Sequence, residues 1–139
     1  MGHDPRMAFA HFTLPTQDVQ GTARLLEQAL GFRRTEAPAN SPCETVWLDM
    51  GRGQQIHVVH VEGFAASAFE GEFGRHFAVY HSVSGFPALK RLLQEFGAEV
   101  CDPLRPSPFA RFFFREPING YVFEVIDADQ APLASHFDQ

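Results

Sequence analysis

Two stretches of the chain carry apolar residues at helical spacing. Val19, Ala23, Leu26 and Leu30 recur three or four positions apart, and so do Phe86, Leu89, Leu93 and Phe96. Each set lays an apolar stripe along one side of a predicted helix. Asp18 and Ser84 stand just before these stripes, where a short polar side chain can accept an orphan backbone N–H, so each is the expected N-cap. Gly31 and Gly97 are the expected stops. The remaining apolar runs read as strands. One precedes each helix: Met7 to Leu14, and Arg75 to Ser82. Three follow the first helix, at Phe32–Glu36, Glu44–Met50 and Gln55–Val61. Three follow the second, at Glu99–Asp102, Phe109–Arg115 and Tyr121–Asp127. Gly51-Arg52-Gly53 and Pro117-Ile118-Asn119-Gly120 supply turn residues before the last strand of each set.

The pattern repeats at a nearly constant offset. Leu25-Leu26 answers to Leu92-Leu93, Gly31 to Gly97, His11 to His76 and His57 to Glu124. The chain is therefore expected to contain two tandem βαβββ modules, about 7–62 and 74–128, joined by Glu62 to Phe73. At 139 residues it has the length of one domain. One helix covers one face of a four-stranded sheet, and the other face needs the second module or forms a cup with it. The expected class is α+β, with a cupped, eight-stranded mixed sheet around a central site.

Strand parity assigns side chains to that cup. His11 and His76 hold equivalent places in the first strand of each module, and His57 and Glu124 in the last. Their neighbours on the opposite parity, Phe12, Phe77, Ile56, Val58, Phe123 and Val125, are apolar and belong under the helices. A carboxylate within Phe-Glu-Val is costly to bury without a partner. Three imidazoles and one carboxylate converging from four strands form a site for one divalent metal ion, whether zinc, iron, nickel, cobalt or manganese. Glu124 would serve as ligand first and base second. His57, with an ordinary pKa near neutrality, could be the general base if it left the cation. His60 and His81 fall out of phase. Arg111, Phe113 and Tyr80 share the parity of the cup and are candidates for substrate contact, with Arg111 able to clamp an anion bidentately.

Composition narrows the partners. Eleven Lys and Arg against 17 Asp and Glu give a net charge of −6. The basic residues are scattered, which disfavours nucleic acid, and no Gly-rich phosphate loop occurs. No apolar run reaches the ~20 residues that span a bilayer. Met1 to Arg6 carries no apolar segment of the kind a secretory leader needs. Cys43 and Cys101 match no zinc or redox spacing, so two reduced thiols in a cytoplasmic protein are expected. A small molecule is the expected partner.

The chain resembles the vicinal oxygen chelate superfamily, which holds glyoxalase I, methylmalonyl-CoA epimerase, extradiol dioxygenases and the fosfomycin and bleomycin resistance proteins. The resemblance covers about 7–128. It rests on Ala10-His11-Phe12, Ala29-Leu30-Gly31-Phe32, Gln55-Ile56-His57-Val58-Val59, Arg75-His76-Phe77-Ala78-Val79, Phe113-Phe114-Arg115-Glu116-Pro117, Asn119-Gly120 and Phe123-Glu124-Val125. Carried over, the superfamily's metal ligands fall on His11, His57, His76 and Glu124. The chain departs at His57, where glyoxalase I typically has Glu and the epimerase Gln. It departs again at Glu116–Gly120, one residue longer than the common Asp-Pro-x-Gly-Asn turn. The resemblance implies a metal-dependent lyase or isomerase acting on a small oxygen-chelating carbonyl compound through a metal-stabilised enolate, in a homodimer. Its alternatives are an Fe(II) extradiol-type dioxygenase, a thiol transferase of the fosfomycin type and a non-enzymatic, drug-sequestering binder.

Overall fold

The computed structural model describes residues 9–130. Met7 and Ala8, the start of the first expected strand, lie outside them. The chain divides into two compact units between Phe64 and Ala65, and each is a four-stranded mixed sheet with one α-helix.

In the first unit the order is β1 (His11–Thr16), α1 (Val19–Leu30), β2 (Arg33–Thr35), β3 (Thr45–Gly51) and β4 (Gln54–His60). The sheet runs β1-β4-β3-β2, with β1 parallel to β4 and the other pairs antiparallel. Asp18 caps α1 as expected, accepting from the backbone N–H of Gly21 at 3.0 Å. Gly31 ends α1 in the left-handed conformation at φ 76°, which glycine adopts without a Cβ penalty. The buried face of α1, Val19, Ala23, Leu25, Leu26 and Ala29, packs on β3 and β4 over Leu14, Val46, Leu48, Ile56 and Val58.

The second unit repeats the plan. Its elements are β5 (Phe77–His81), α2 (Phe86–Glu95), β6 (Glu99–Cys101), β7 (Arg111–Arg115) and β8 (Val122–Asp127), in the order β5-β8-β7-β6. Again the first and last strands are parallel. The core beneath α2 is aromatic: Phe112, Phe114 and Phe123 are fully buried, and Phe86 meets Phe112 edge-on with centroids 5.0 Å apart. Ser84 is not the cap of α2. A 3₁₀ turn, Val83–Gly85, precedes the helix, Gly85 takes the cap position, and no side chain caps it. The turn carries Ser84 away, and its hydroxyl pairs with that of Ser82 at 2.9 Å. Strand β5 also begins later than the sequence suggests. Arg75 forms an isolated bridge with Glu70, so His76 stands one residue before the strand.

Candidate metal centre

Register explains which side chains share a face. In the first unit Thr13 pairs with His57 across β1 and β4, and Trp47 pairs with His57 across β3 and β4. His11, two residues before Thr13, lies diagonally on the same face. The three rings stack: Trp47 on His57 with centroids 3.7 Å apart at 5°, and His57 on His11 at 4.0 Å and 16°. His57 is buried while His11 is exposed. The Nε2 of His57 meets the amide oxygen of Gln55 at 2.7 Å, so that nitrogen is the donor. Burial, and then the neighbouring His11, lower the pKa of His57 from its ordinary value. The buried ring is thus kept neutral at pH 7.

The second unit reproduces the register. Ala78 pairs with Glu124 across β5 and β8, and Phe113 with Glu124 across β7 and β8. His76 stands two residues before Ala78, as His11 stands before Thr13. Here the two functional groups meet. The Nε2 of His76 lies 3.3 Å from Oε1 of the buried Glu124. Its Nδ1 is 3.0 Å from the carbonyl of Gly71. A carbonyl only accepts, so Nδ1 carries hydrogen, and Nε2 is the ring nitrogen left to face the carboxylate. Two lone pairs facing each other repel unless a proton or a cation stands between them. The separation is longer than the ~2.8 Å of a charge-assisted hydrogen bond. It matches the ~3.3 Å between two donors each about 2.0 Å from one tetrahedral cation. The nitrogen and oxygen donors, one neutral and one anionic, fit a divalent ion.

The second oxygen of Glu124 is anchored. Nη1 of Arg111 donates to Oε2 at 2.9 Å, and the Arg111 side chain is only 2% exposed. The rest of the Arg111 fork is also engaged. Nε donates to Ser107 Oγ at 3.2 Å, and Nη2 donates to the Arg105 carbonyl and faces Glu72 Oε2 at 3.5 Å. Arg111 therefore holds Glu124 and the loop before β7. Phe113 is buried, with its ring edge-on to His76 at 5.2 Å. Tyr80, half-buried, lies on the same face opposite Ile126, two positions beyond Ala78 along β5.

The structure brings together His11 with His57, and His76 with Glu124, each pair within its own unit. Neither unit, among its described residues, gathers three His, Cys, Asp or Glu side chains that could hold a metal alone. Sequence reasoning missed Glu72 and Gly71, which lie in the connecting segment and act through one carboxylate and one carbonyl. No spacing rule marks a contact of that kind. Gln55 was legible in principle, because its parity is that of His57.

The chain matches no protein-family model and no curated protein sequence. Solved structures do resemble it. The fosfomycin resistance protein FosX from Listeria monocytogenes superposes with a TM-score of 0.70 at 15% identity, covering 96% of this chain and 98% of that one. FosX from Mesorhizobium loti gives 0.68 at 17% identity over the same shares. A possible glyoxalase from Bacillus cereus gives 0.62 at 18% identity, covering 86% of this chain and 98% of that one. A variant of the Listeria protein, with a TM-score of 0.71 at 14% identity over 96% of this chain and 98% of that one, was crystallised with Mn(II) and 1S,2S-dihydroxypropylphosphonic acid. These likenesses establish the fold: two βαβββ modules, as in the FosX structures.

Proposed function

We propose that the chain is a divalent-metal-dependent enzyme whose ligands are His76 and Glu124 from one unit and His11 from the other, with His57 as the fourth member. The observation that carries this reading is the 3.3 Å approach of His76 Nε2 to Glu124 Oε1, with the partner atoms of both residues anchored elsewhere. Two donors hold a dication weakly, so the reading requires His11 and His57 to meet the same ion, whether one chain or two copies supply them. A dication held there supplies Lewis acidity toward two neighbouring oxygens of a substrate and stabilises an enolate as a proton leaves.

The protein's own groups have separable tasks. One dication against one carboxylate leaves the centre about +1 in formal charge, which favours an oxyanion substrate. Glu124 is a ligand first. His57, kept neutral by burial, is in the form that either binds the cation or accepts a proton. Phe113 walls the ring of His76, and Tyr80 lies farther along the same face, placed for substrate contact. The reaction class that fits is a lyase or isomerase acting on a small, enolisable, oxygen-chelating carbonyl compound, in a homodimer.

A second reading has an observation of its own. The Mn(II) complex of the FosX variant holds a diol phosphonate, a small ligand with vicinal oxygens, which favours water addition to a phosphonate epoxide. An Fe(II) dioxygenase ranks lower, because a fourth protein ligand leaves fewer open positions. A pure binder ranks lower still, because it does not require the four donors.

Metal analysis comes first, followed by parallel assays of hemithioacetal conversion, solvent proton exchange into an acyl thioester, phosphonate-epoxide opening and oxygen uptake. Binding of Mn(II), Zn(II) or Ni(II) with turnover in one of the first two supports the leading reading. A protein that binds none of Mn(II), Fe(II), Co(II), Ni(II) or Zn(II) eliminates it.

A further inference from the structure

Both members of the His76–Glu124 pair are held from one dipeptide, Gly71-Glu72. The Gly71 carbonyl fixes the ring of His76 through Nδ1. The Glu72 carboxylate faces Nη2 of Arg111, whose Nη1 grips Oε2 of Glu124. Glu72 does a second thing. Its two oxygens accept the backbone N–H groups of Leu104 at 2.7 Å and Arg105 at 2.9 Å. The loop so captured returns two bonds to Arg111, from the Arg105 carbonyl and the Ser107 hydroxyl. One guanidinium thus lies between two carboxylates, wrapped by a loop carrying Pro103, Pro106 and Pro108.

We propose that Arg111 and Glu72 are positioning residues for a dication at this centre. Together they occupy one oxygen of Glu124, leave the other to a metal as a single-oxygen ligand, and tie that ligand to the 103–108 loop. This rests on the metal-dependent reading above and adds to it a coordination mode and its control. The physical reason is competition for lone pairs. A carboxylate with both oxygens open can chelate a cation through both. With Oε2 held at 2.9 Å by a nearly fully buried guanidinium, only Oε1 remains beside His76. Glu72 fixes where that guanidinium sits. Without its charge, Arg111 faces Glu124 alone and the loop loses an acceptor for its backbone N–H groups.

The test uses the full chain and two added metals, Mn(II) for affinity and Co(II) for its ligand-field spectrum. Glu72→Gln is the decisive variant, because it removes the charge while keeping the size of a side chain that is only 12% exposed, and it leaves Arg111 paired with Glu124. Arg111→Lys is the second variant. It keeps the charge but cannot reach Glu124, Ser107 and the Arg105 carbonyl together. Removing such an outer hydrogen-bond partner typically costs about tenfold or more in metal affinity. The expected result is about tenfold weaker Mn(II) binding in Glu72→Gln, with a changed Co(II) spectrum as Arg111, no longer shared with Glu72, draws Glu124 out of place, and partial recovery of both in Glu72→Asp; in Arg111→Lys the freed Oε2 lets Glu124 swing toward two-oxygen coordination. Loss of folding would show in circular dichroism, and in that case Glu72→Asp and Arg111→Lys carry the same comparison. Wild-type Mn(II) affinity with an unaltered Co(II) spectrum in a folded Glu72→Gln protein overturns the proposal and leaves the metal-dependent reading standing. Failure of the wild-type chain to bind either ion overturns the proposal, and failure to bind Fe(II), Ni(II) and Zn(II) as well overturns the metal-dependent reading with it.

Discussion

Glu116 is buried at the bend between β7 and β8, and its carboxylate accepts the backbone N–H groups of Ile118, Asn119 and Tyr121. The sequence marks this stretch as a turn with one residue more than the usual pattern. It does not mark Glu116 as the group that closes the turn, because one carboxylate collecting three amides depends on the path of the backbone. Replacing Glu116 by Ala strands those donors away from water. We expect a loss of about 3 kcal/mol of stability, seen as a lower urea midpoint with an unchanged slope. Tyr121, beside this bend, is nearly fully buried. Burial is the first cause that pushes its phenol up to about 12. The folded state therefore keeps the phenolic proton at pH values where the unfolded chain has lost it. This contribution is fully present below pH ~10, the unfolded value, and is lost between pH ~10 and ~12 at about 1.4 kcal/mol per pH unit. Urea titrations at pH 9, 10 and 11 should show Tyr121→Phe losing less stability than the parent over that range. Parallel slopes would refute the assignment.

At the scale of elements, the two helices separate what local sequence dictates from what it leaves open. Both apolar stripes were legible, since the buried residues of α1 and α2 follow the 3.6-residue period. So were the strands that carry His11, His57 and Glu124, because parity and the internal repeat agree. The caps differ. Asp18 and Ser84 look alike in sequence, yet only Asp18 caps a helix. Asp18→Ala should cost about 1 kcal/mol, whereas Ser84→Ala should leave stability within about 0.5 kcal/mol of the parent. Equal losses in thermal unfolding would show that the 3₁₀ turn does not relieve Ser84 of the capping role. The connecting segment was the least legible element. Its Phe69 and Phe73 are exposed, at 81% and 73%. The residue between them that does the ordering is Glu72. The backbone N–H of Leu104, and then the backbone N–H of Arg105 and the guanidinium of Arg111, hold its carboxyl below the ordinary value despite an opposing effect of burial. A carboxyl depressed in the folded state adds stability above its unfolded pKa and loses it as pH falls through the folded one. The Glu72→Gln variant should accordingly have a flatter acid limb than the parent.

Across the whole molecule, a chain of net charge −6 gathers imidazoles and one carboxylate on the sheet faces turned away from its helices. The halves differ in a way duplication alone does not explain. In the first unit the last-strand position is a histidine stacked on Trp47 and bonded to Gln55. In the second it is a carboxylate facing an imidazole. The second unit therefore has the stronger electrostatic need for a cation, and His76 and Glu124 should dominate its binding. A cation bound only by the folded state stabilises that state by about 2.7 kcal/mol at one hundred times its dissociation constant, which for a domain of this size is a rise of several degrees in Tm. Dialysis against a chelator should lower Tm by that amount, and Mn(II) should restore it with one ion per chain by elemental analysis. His76→Gln and Glu124→Gln should abolish the metal-dependent rise. His57→Gln should weaken it if His57 is a ligand and leave it intact if the ring only packs between Trp47 and His11, so its titration decides between the four-ligand and three-ligand sites. The same samples, run by light scattering, should give twice the 15.6 kDa chain mass if a homodimer forms. A Tm indifferent to both chelator and Mn(II) would remove the cation from the account and leave the His76–Glu124 contact as an ordinary ion pair.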